Sequence, residues 1–350
     1  RIISLDRFPD DDAEAAELFA ALEDCKAGGV LADGWGEVSE WPAERVRIGD
    51  WTGAIWRSPM LANAASQYAE SRELEPLGEQ GMACYATHAS IYVDHSRSSE
   101  SVPGAFPILE SASNEAQQRI EAAPDQHWVY NKTGRSSLLD KAGYLLVTAG
   151  QDTSTGRVTA VASENPLIGR AWMPVPSVSF DKAKAAAVFL NSTPGRLLLM
   201  RNPGRKLSFP KYPPRIINAL PVPNLDDPRI RYALADCWEM TRSMEVPQYR
   251  AGECEVRQFW DAAVCDALGW DEDEIAGYRN LLHEEPHIKG LGYGQFADEP
   301  DGEAELNTKV STTMETRSRT LRAGEDPTGF TRSEHKLEMP ADSPASDPRA

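Results

Sequence analysis

The chain has 350 residues, 41% of them apolar, five cysteines and a formal net charge of −18. That length allows two ordinary domains with a sizeable core, while no apolar run approaches the roughly 18–20 residues needed to cross a bilayer. Cys25, Cys84, Cys237, Cys254 and Cys265 are odd in number and hold no CxxC spacing, which favours reduced thiols in a cytoplasmic protein over a disulfide framework or a zinc site. The first predicted element is a helix over 10–27, opened by aspartates and closed by Gly28-Gly29, with Leu18, Phe19 and Leu22 as its apolar stripe. A second helix is predicted from Met60 to about Arg72, where Leu61, Ala64, Ala65, Tyr68 and Ala69 recur at helical spacing. "CYATHASIYV" (84–93) has strand composition.

The middle of the chain changes texture. "GYLLVTA" (143–149), "RVTAVAS" (157–163) and "LIGRAWMPV" (167–175), divided by "GQDTSTG" and "ENP", read as an antiparallel meander. "FDKAKAAAVFLN" (180–191) returns to helical spacing and stops at "STPG". A helix over 228–244 follows, with Ile230, Leu234, Cys237 and Trp238 on one face. Two more carry Val256, Phe259, Trp260 and Ala263, then Ile275, Tyr278 and Leu282, the last opened by Asp271 and Glu274 in capping-box order. From 297 the sequence is too polar to offset chain entropy. The expected plan is α+β: an N-terminal helix and connector (1–35), a domain with a mixed or antiparallel sheet and packed helices (36–250), a helical appendage (251–296) and a disordered acidic tail (297–350). The residue at position 1 is Arg1, with no secretory leader pattern after it, so a piece of a longer or processed product is expected.

Charge is unevenly distributed. Residues 1–125 carry a net −14, 126–250 a net +8, 251–296 a net −7 and 297–350 a net −5. One basic segment inside an acidic chain is the pattern of a local phosphate-binding surface. Arginine outnumbers lysine 26 to 10, a balance found with many carboxylates in halophiles and also produced by a high-GC genome.

His283-Glu284-Glu285-Pro286-His287 matches H-E-x-x-H, but zinc chemistry needs both imidazoles on one face of an unbroken helix. Pro286 removes a backbone donor and pushes Glu285 out of helical conformation, so a helix end near His283 is expected. "VLADGWG" (30–36) and "GLGYG" (290–294) lack the strand-then-helix setting of a phosphate cradle. His88, Asp94 and His95 make no defensible catalytic spacing, and a hydrolase built on the histidines is the weakest reading.

"VFLNSTPGRLLLM" followed by "LSFPKYPPRIINALPVPNL" is similar to the C-terminal target-recognition region of adenine-specific DNA methyltransferases of restriction-modification and phage-defence systems. "WVYNKTGRSSLL" (128–139), "RAWMPV" (170–175) and "EVRQFWDAAVCDALGWDEDEIAGYRNLLHEEPHIKG" (255–290) fit the same pattern, which covers roughly 100–290. That family also needs a glycine loop for S-adenosylmethionine and an Asn/Asp-Pro-Pro-aromatic tetrapeptide. "YPPR" (212–215) lacks both the acceptor and the aromatic.

The resemblance therefore implies the DNA-reading half of such an enzyme, with no catalytic residue, metal or cofactor in this chain. S-adenosylmethionine is expected only for the full enzyme. Expected partners are double-stranded DNA, a catalytic methyltransferase domain or subunit and a restriction nuclease subunit, with no membrane. Phosphate contacts fall to Lys132, Arg135, Lys141, Arg201, Arg205, Lys206, Lys211 and Arg215, and base reading to Asn131, Arg135 or Asn202. Asn191, Ser192, Gly195, Pro210, Leu220 and Pro221 read as fold-defining, and Trp128 and Trp172 as core. The competing reading is a non-catalytic interaction module or scaffold of a defence complex.

Overall fold

The computed structural model describes residues 2–290, apart from 6–8, 26–28, 41, 48–54, 86–94, 99–104, 111–115, 131–139, 177 and 202–209. Most of the 84–93 strand and the whole 297–350 tail expected from sequence lie outside the described residues. All described elements belong to one unit, Arg1–Ala297.

β1 (Ile2–Leu5), α1 (Asp12–Asp24) and β2 (Gly36–Ser39) come first. The Asp11 side chain caps α1 by accepting from the amides of Ala13 and Glu14. Leu18 and Ala21 pack with Leu31, Trp35 and Val38 in a small core of their own. Phe19 points the other way, 67% exposed, so the apolar stripe is narrower than its spacing implied. The helix ends at a Cys25 cap rather than at the glycines. α2 (Ala43–Arg47), α3 (Pro59–Ala69) and β3 (Leu74–Pro76) follow, and α3 buries Leu61, Ala64 and Ala65.

β4 (His95–Ser98), β5 (Ala105–Leu109), β6 (Gln126–Tyr130), β7 (Gly143–Thr148), β8 (Ala160–Gly169) and β9 (Trp172–Val175) form one sheet in the order β4-β6-β5-β8-β7-β9. β5 and β8 are parallel and the other pairs antiparallel. The fold is therefore α+β with a mixed sheet.

Two details differ from the meander expected from sequence. β7 lies between β8 and β9 instead of at the meander's edge. "ENP" is no turn: β8 runs through it, and Glu164, Asn165 and Pro166 arch out where the register with β7 shifts between Gly143 and Leu145. A bulge absorbs polar and proline residues without ending the strand, because the extra residues need no ladder partner.

The chain then enters α4 (Phe180–Asn191), α5 (Thr193–Met200), α6 (Pro214–Asn218), β10 (Pro221–Pro223), α7 (Pro228–Thr241), α8 (Glu255–Leu268), α9 (Glu272–Glu284) and α10 (Pro286–Lys289). α4 lies between two layers, with β7 and β8 on one side and α7 and α8 on the other. Every residue from Ala183 to Asn191 is buried. Three consecutive alanines let the sheet approach closely, while Val188, Phe189 and Leu190 each contribute roughly 1.5–3 kcal/mol by leaving water.

"STPG" ends α4 and also starts α5. Ser192 is the C-cap of one helix and the N-cap of the next, its Oγ accepting from Gly195 N at 3.4 Å. Gly195 is required there, since a Cβ would overlap the carbonyl oxygen of Phe189. β10 pairs with β3, which places Pro221 opposite Pro76, and the Leu220 carbonyl accepts from Leu77 N at 2.9 Å.

Candidate functional site

The most basic stretch of the sequence, 201–206, follows directly on α5. From Thr193 to Met200 this helix is buried, and Arg201 caps it with its amide 3.3 Å from the Leu198 carbonyl. The chain is described again at Pro210, whose carbonyl accepts from Gln151 N at 3.2 Å. Lys211 then bridges Gly150, and Tyr212 N donates to Ala149 O at 3.0 Å. The contact is close enough to need glycine: a Cβ on Gly150 would lie 2.7 Å from Lys211 Cδ and 2.9 Å from Pro210 O. Below it, buried Gln151 donates from Nε2 to the Tyr212 oxygen at 3.3 Å. The described chain is thus anchored on both sides of 202–209, by buried α5 before it and by the 149–151 segment after β7 following it.

The remaining candidate contacts are dispersed. Lys211 is exposed at this anchor, and Arg215 is exposed in the first turn of α6. Lys141 is half-buried just before the opposite end of β7, a strand of six residues. At about 3.3 Å per residue it stands roughly 17 Å or more from Lys211. Lys132, Arg135, Asn202, Arg205 and Lys206, with Asn131, lie outside the described residues.

Asn191 supports the helix break from inside. Its Oδ1 accepts from Thr159 N at 2.6 Å, and its Nδ2 donates to the carbonyls of Ala160 at 2.6 Å and Ala187 at 2.8 Å. Trp172 is 1% and Trp128 2% exposed, and Trp128 Nε1 donates to buried Glu110 at 3.0 Å.

Behind α5 lies a polar cluster that sequence reasoning did not single out. Asp261 of α8 caps α5, accepting from Thr193 N at 2.6 Å and Thr193 Oγ1 at 2.7 Å, and it accepts from Arg279 Nη1 at 2.7 Å. Arg196 and Arg257 place their guanidinium carbons 3.5 and 4.1 Å from the centre of the Tyr249 ring. Burial lowers the Arg196 pKa to about 10, with Arg257 adding to the effect, so Arg196 remains cationic at neutral pH. The available signals were Arg196 inside the apolar run "GRLLLM", and Arg257 and Asp261 beside the apolar positions of α8.

The H-E-x-x-H residues border this cluster. α9 ends at Glu284, Glu285 is extended, and Pro286 starts α10, so the two histidines belong to different helices. His283 stacks on Tyr249 with centroids 5.2 Å apart, and His287 is tilted against Trp56 at 5.5 Å. Burial, then the cations Arg257 and Arg196, hold His283 down to about 4. Burial and Arg196 do the same to His287, even with Glu285 Oε2 at 3.8 Å. Both imidazoles are neutral at pH 7. Glu285 is engaged with the backbone amides of Arg57 and Ser58, at 3.0 and 2.8 Å. Among the described residues no group of three His, Cys, Asp or Glu side chains is arranged to hold a metal, and no helix is long and apolar enough to cross a membrane.

No protein-family model matches the chain, and no curated protein does. Among solved structures it is similar to the type IIG restriction endonuclease BpuSI, at 12% sequence identity and a TM-score of 0.41. That likeness covers 77% of this chain and 38% of the endonuclease, so the chain spans well under half the length of that protein. A similarity this low carries no activity over to this chain.

Proposed function

We propose that this chain is the DNA-recognition portion of a site-specific adenine DNA methyltransferase of a restriction-modification or phage-defence system. It would position duplex DNA for methyl transfer from S-adenosylmethionine by a catalytic domain or subunit. The observation that supports this reading is the mounting of the basic segment. A chain that is acidic elsewhere carries a net +8 over 126–250, and its most basic stretch, 201–206, begins at the cap of buried α5 and precedes residues 210–212, which bond to 149–151. Phosphate contacts need cations on a rigid base, because a mobile lysine or arginine loses side-chain entropy on binding.

The test is a salt titration of binding to duplex DNA. Affinity falls with the logarithm of salt concentration, with a slope near −0.9 per phosphate contact. Replacing Arg205 and Lys206 by Ala flattens that slope by roughly two contacts if both meet phosphate. Absence of binding at low salt, with a catalytic partner present, would reject the proposal in favour of an interaction module. One observation favours that second reading: Tyr232 and Met240 of α7 and Phe259 of α8 present large apolar side chains to solvent, at 54%, 69% and 43% exposure.

A further inference from the structure

The connection from β7 to β8 joins two paired strands, and such connections ordinarily run over the surface. Here Gln151, Thr153, Ser154 and Gly156 are buried. Asp152 closes the turn on itself, its Oδ1 accepting from Ser154 N at 2.9 Å, Ser154 Oγ at 2.7 Å and Thr155 N at 2.9 Å. Arg196 of α5 donates from Nη2 to Thr153 O at 2.9 Å, and Thr153 Oγ1 donates to His287 O of α10 at 2.9 Å. The amides of Arg250 and Tyr249 donate to Ser154 O at 2.9 Å and Gly156 O at 3.0 Å. The hairpin ladder needs none of these bonds. What they fix is the place of the turn relative to α5 and the C-terminal helices.

Gly150 opens that turn and receives Lys211. A Cβ on Gly150 would lie 2.7 Å from Lys211 Cδ and 3.4 Å from Lys211 Nζ. The lysine stem therefore lies along the Gly150 backbone as far as its ammonium, although Lys211 is an exposed residue. Its base is set as well, because Gln151 N donates to Pro210 O at 3.2 Å and Tyr212 N to Ala149 O at 3.0 Å. A lysine laid down before binding loses less rotamer freedom when it meets its partner. Its ammonium is a point charge, suited to a phosphate oxygen more than to the paired acceptors of a base edge.

We propose, on the DNA-recognition reading above, that Gly150 is a positioning residue for DNA binding. Having no side chain, it lets Lys211 lie in place as a preset phosphate contact, and the clamped turn 150–156 holds that place fixed.

Salt-titrated binding of the full chain to duplex DNA, with a catalytic partner present, tests this. Lys211→Gln should lower the salt slope by about 0.9 and the affinity by roughly tenfold near 0.1 M salt. Gly150→Ala displaces the lysine stem, so it should lose affinity in the wild-type background and nothing further when combined with Lys211→Gln. A purely structural Gly150 would instead show the same loss in both backgrounds. A second measurement needs no variant: acetylation of the Lys211 amine, read by mass spectrometry, should slow several-fold when duplex DNA is bound. A wild-type chain that binds no duplex at low salt would remove the DNA reading and the role of Gly150 together. Duplex binding whose slope Lys211→Gln leaves unchanged, equal acetylation of Lys211 with and without DNA, or a Gly150→Ala loss that persists beside Lys211→Gln would overturn the role of Gly150 alone.

Discussion

Asn191 uses both ends of its amide: Oδ1 accepts from Thr159 N and from the Thr159 hydroxyl, and Nδ2 donates to the carbonyls of Ala160 and Ala187. It joins the last turn of α4 to the first residues of β8, two stretches that must be in register for the Ser192 break to point α5 correctly. Asn191→Ala leaves the buried Thr159 amide without its acceptor, at about 1–3 kcal/mol, and removes the side-chain bonds to the Ala160 and Ala187 carbonyls, each contributing about 0.5–1.5 kcal/mol. A loss of about 3 kcal/mol is expected in chemical denaturation, and a change below about 1 kcal/mol would show that the site relaxes around the truncation. Residues with local partners could be read from sequence: the Asp11 and Asp271 caps and the limits of α4 follow from neighbouring side chains and amides. The Arg196–Tyr249–Arg257 contact could not, because three distant segments have to fold before those residues meet.

The junction of α9 and α10 links helix geometry to pH. His283 and His287 stand at either side of the break, both held near 4 by burial and neighbouring guanidinium groups, against an ordinary value of 6.5. A histidine depressed in the folded state binds fewer protons there than in the unfolded chain. Stability is therefore full above pH 6.5 and is lost as pH falls from 6.5 towards 4. The slope reaches about 1.4 kcal/mol per pH unit for a fully buried histidine, and less for His283, which water partly reaches. Denaturation midpoints between pH 7 and 4.5 should fall in the wild type and fall less steeply with His283→Gln and His287→Gln combined. An unchanged slope would mean that other groups govern acid stability. Element type was legible here and in α7 and α8, because apolar spacing and caps are local signals. The place of β7 between β8 and β9 was not, because strand order depends on which edges remain open, and an arch such as 164–166 resembles a turn in any short window.

Across the whole molecule, charge divides along the sequence. The N-terminal 125 residues carry the acidic excess, and the segment from 126 to 250 supplies most of the cations. The main core joins sheet and C-terminal helices: Val256, Trp260 and Val264 of α8 belong to the same cluster as Leu145, Val161 and Phe189. A chain ending at Arg250 would lose α8 to α10 and bare the faces of α4 and α7 they cover. It should be recovered mainly in the insoluble fraction or bind a hydrophobic dye strongly. A soluble, cooperatively unfolding product would show that residues 251–290 are dispensable for the core. The fold class was readable from composition and pattern, whereas this sharing of one core was not, since no local property of α8 says which surface it covers.

The layering of α4 between sheet and helices also bears on how the chain is made. A ribosome releases α4 after the strands it rests on and before α7 and α8, which cover its other side. For the time needed to synthesise roughly 80 residues, at about 5–20 residues per second, an alanine-rich apolar helix sits on a finished sheet with its outer face bare. That interval of several seconds is long compared with hydrophobic collapse. A slow codon run placed between α4 and α8 would lengthen it, so soluble yield should depend on translation speed through this window more than through any stretch before it.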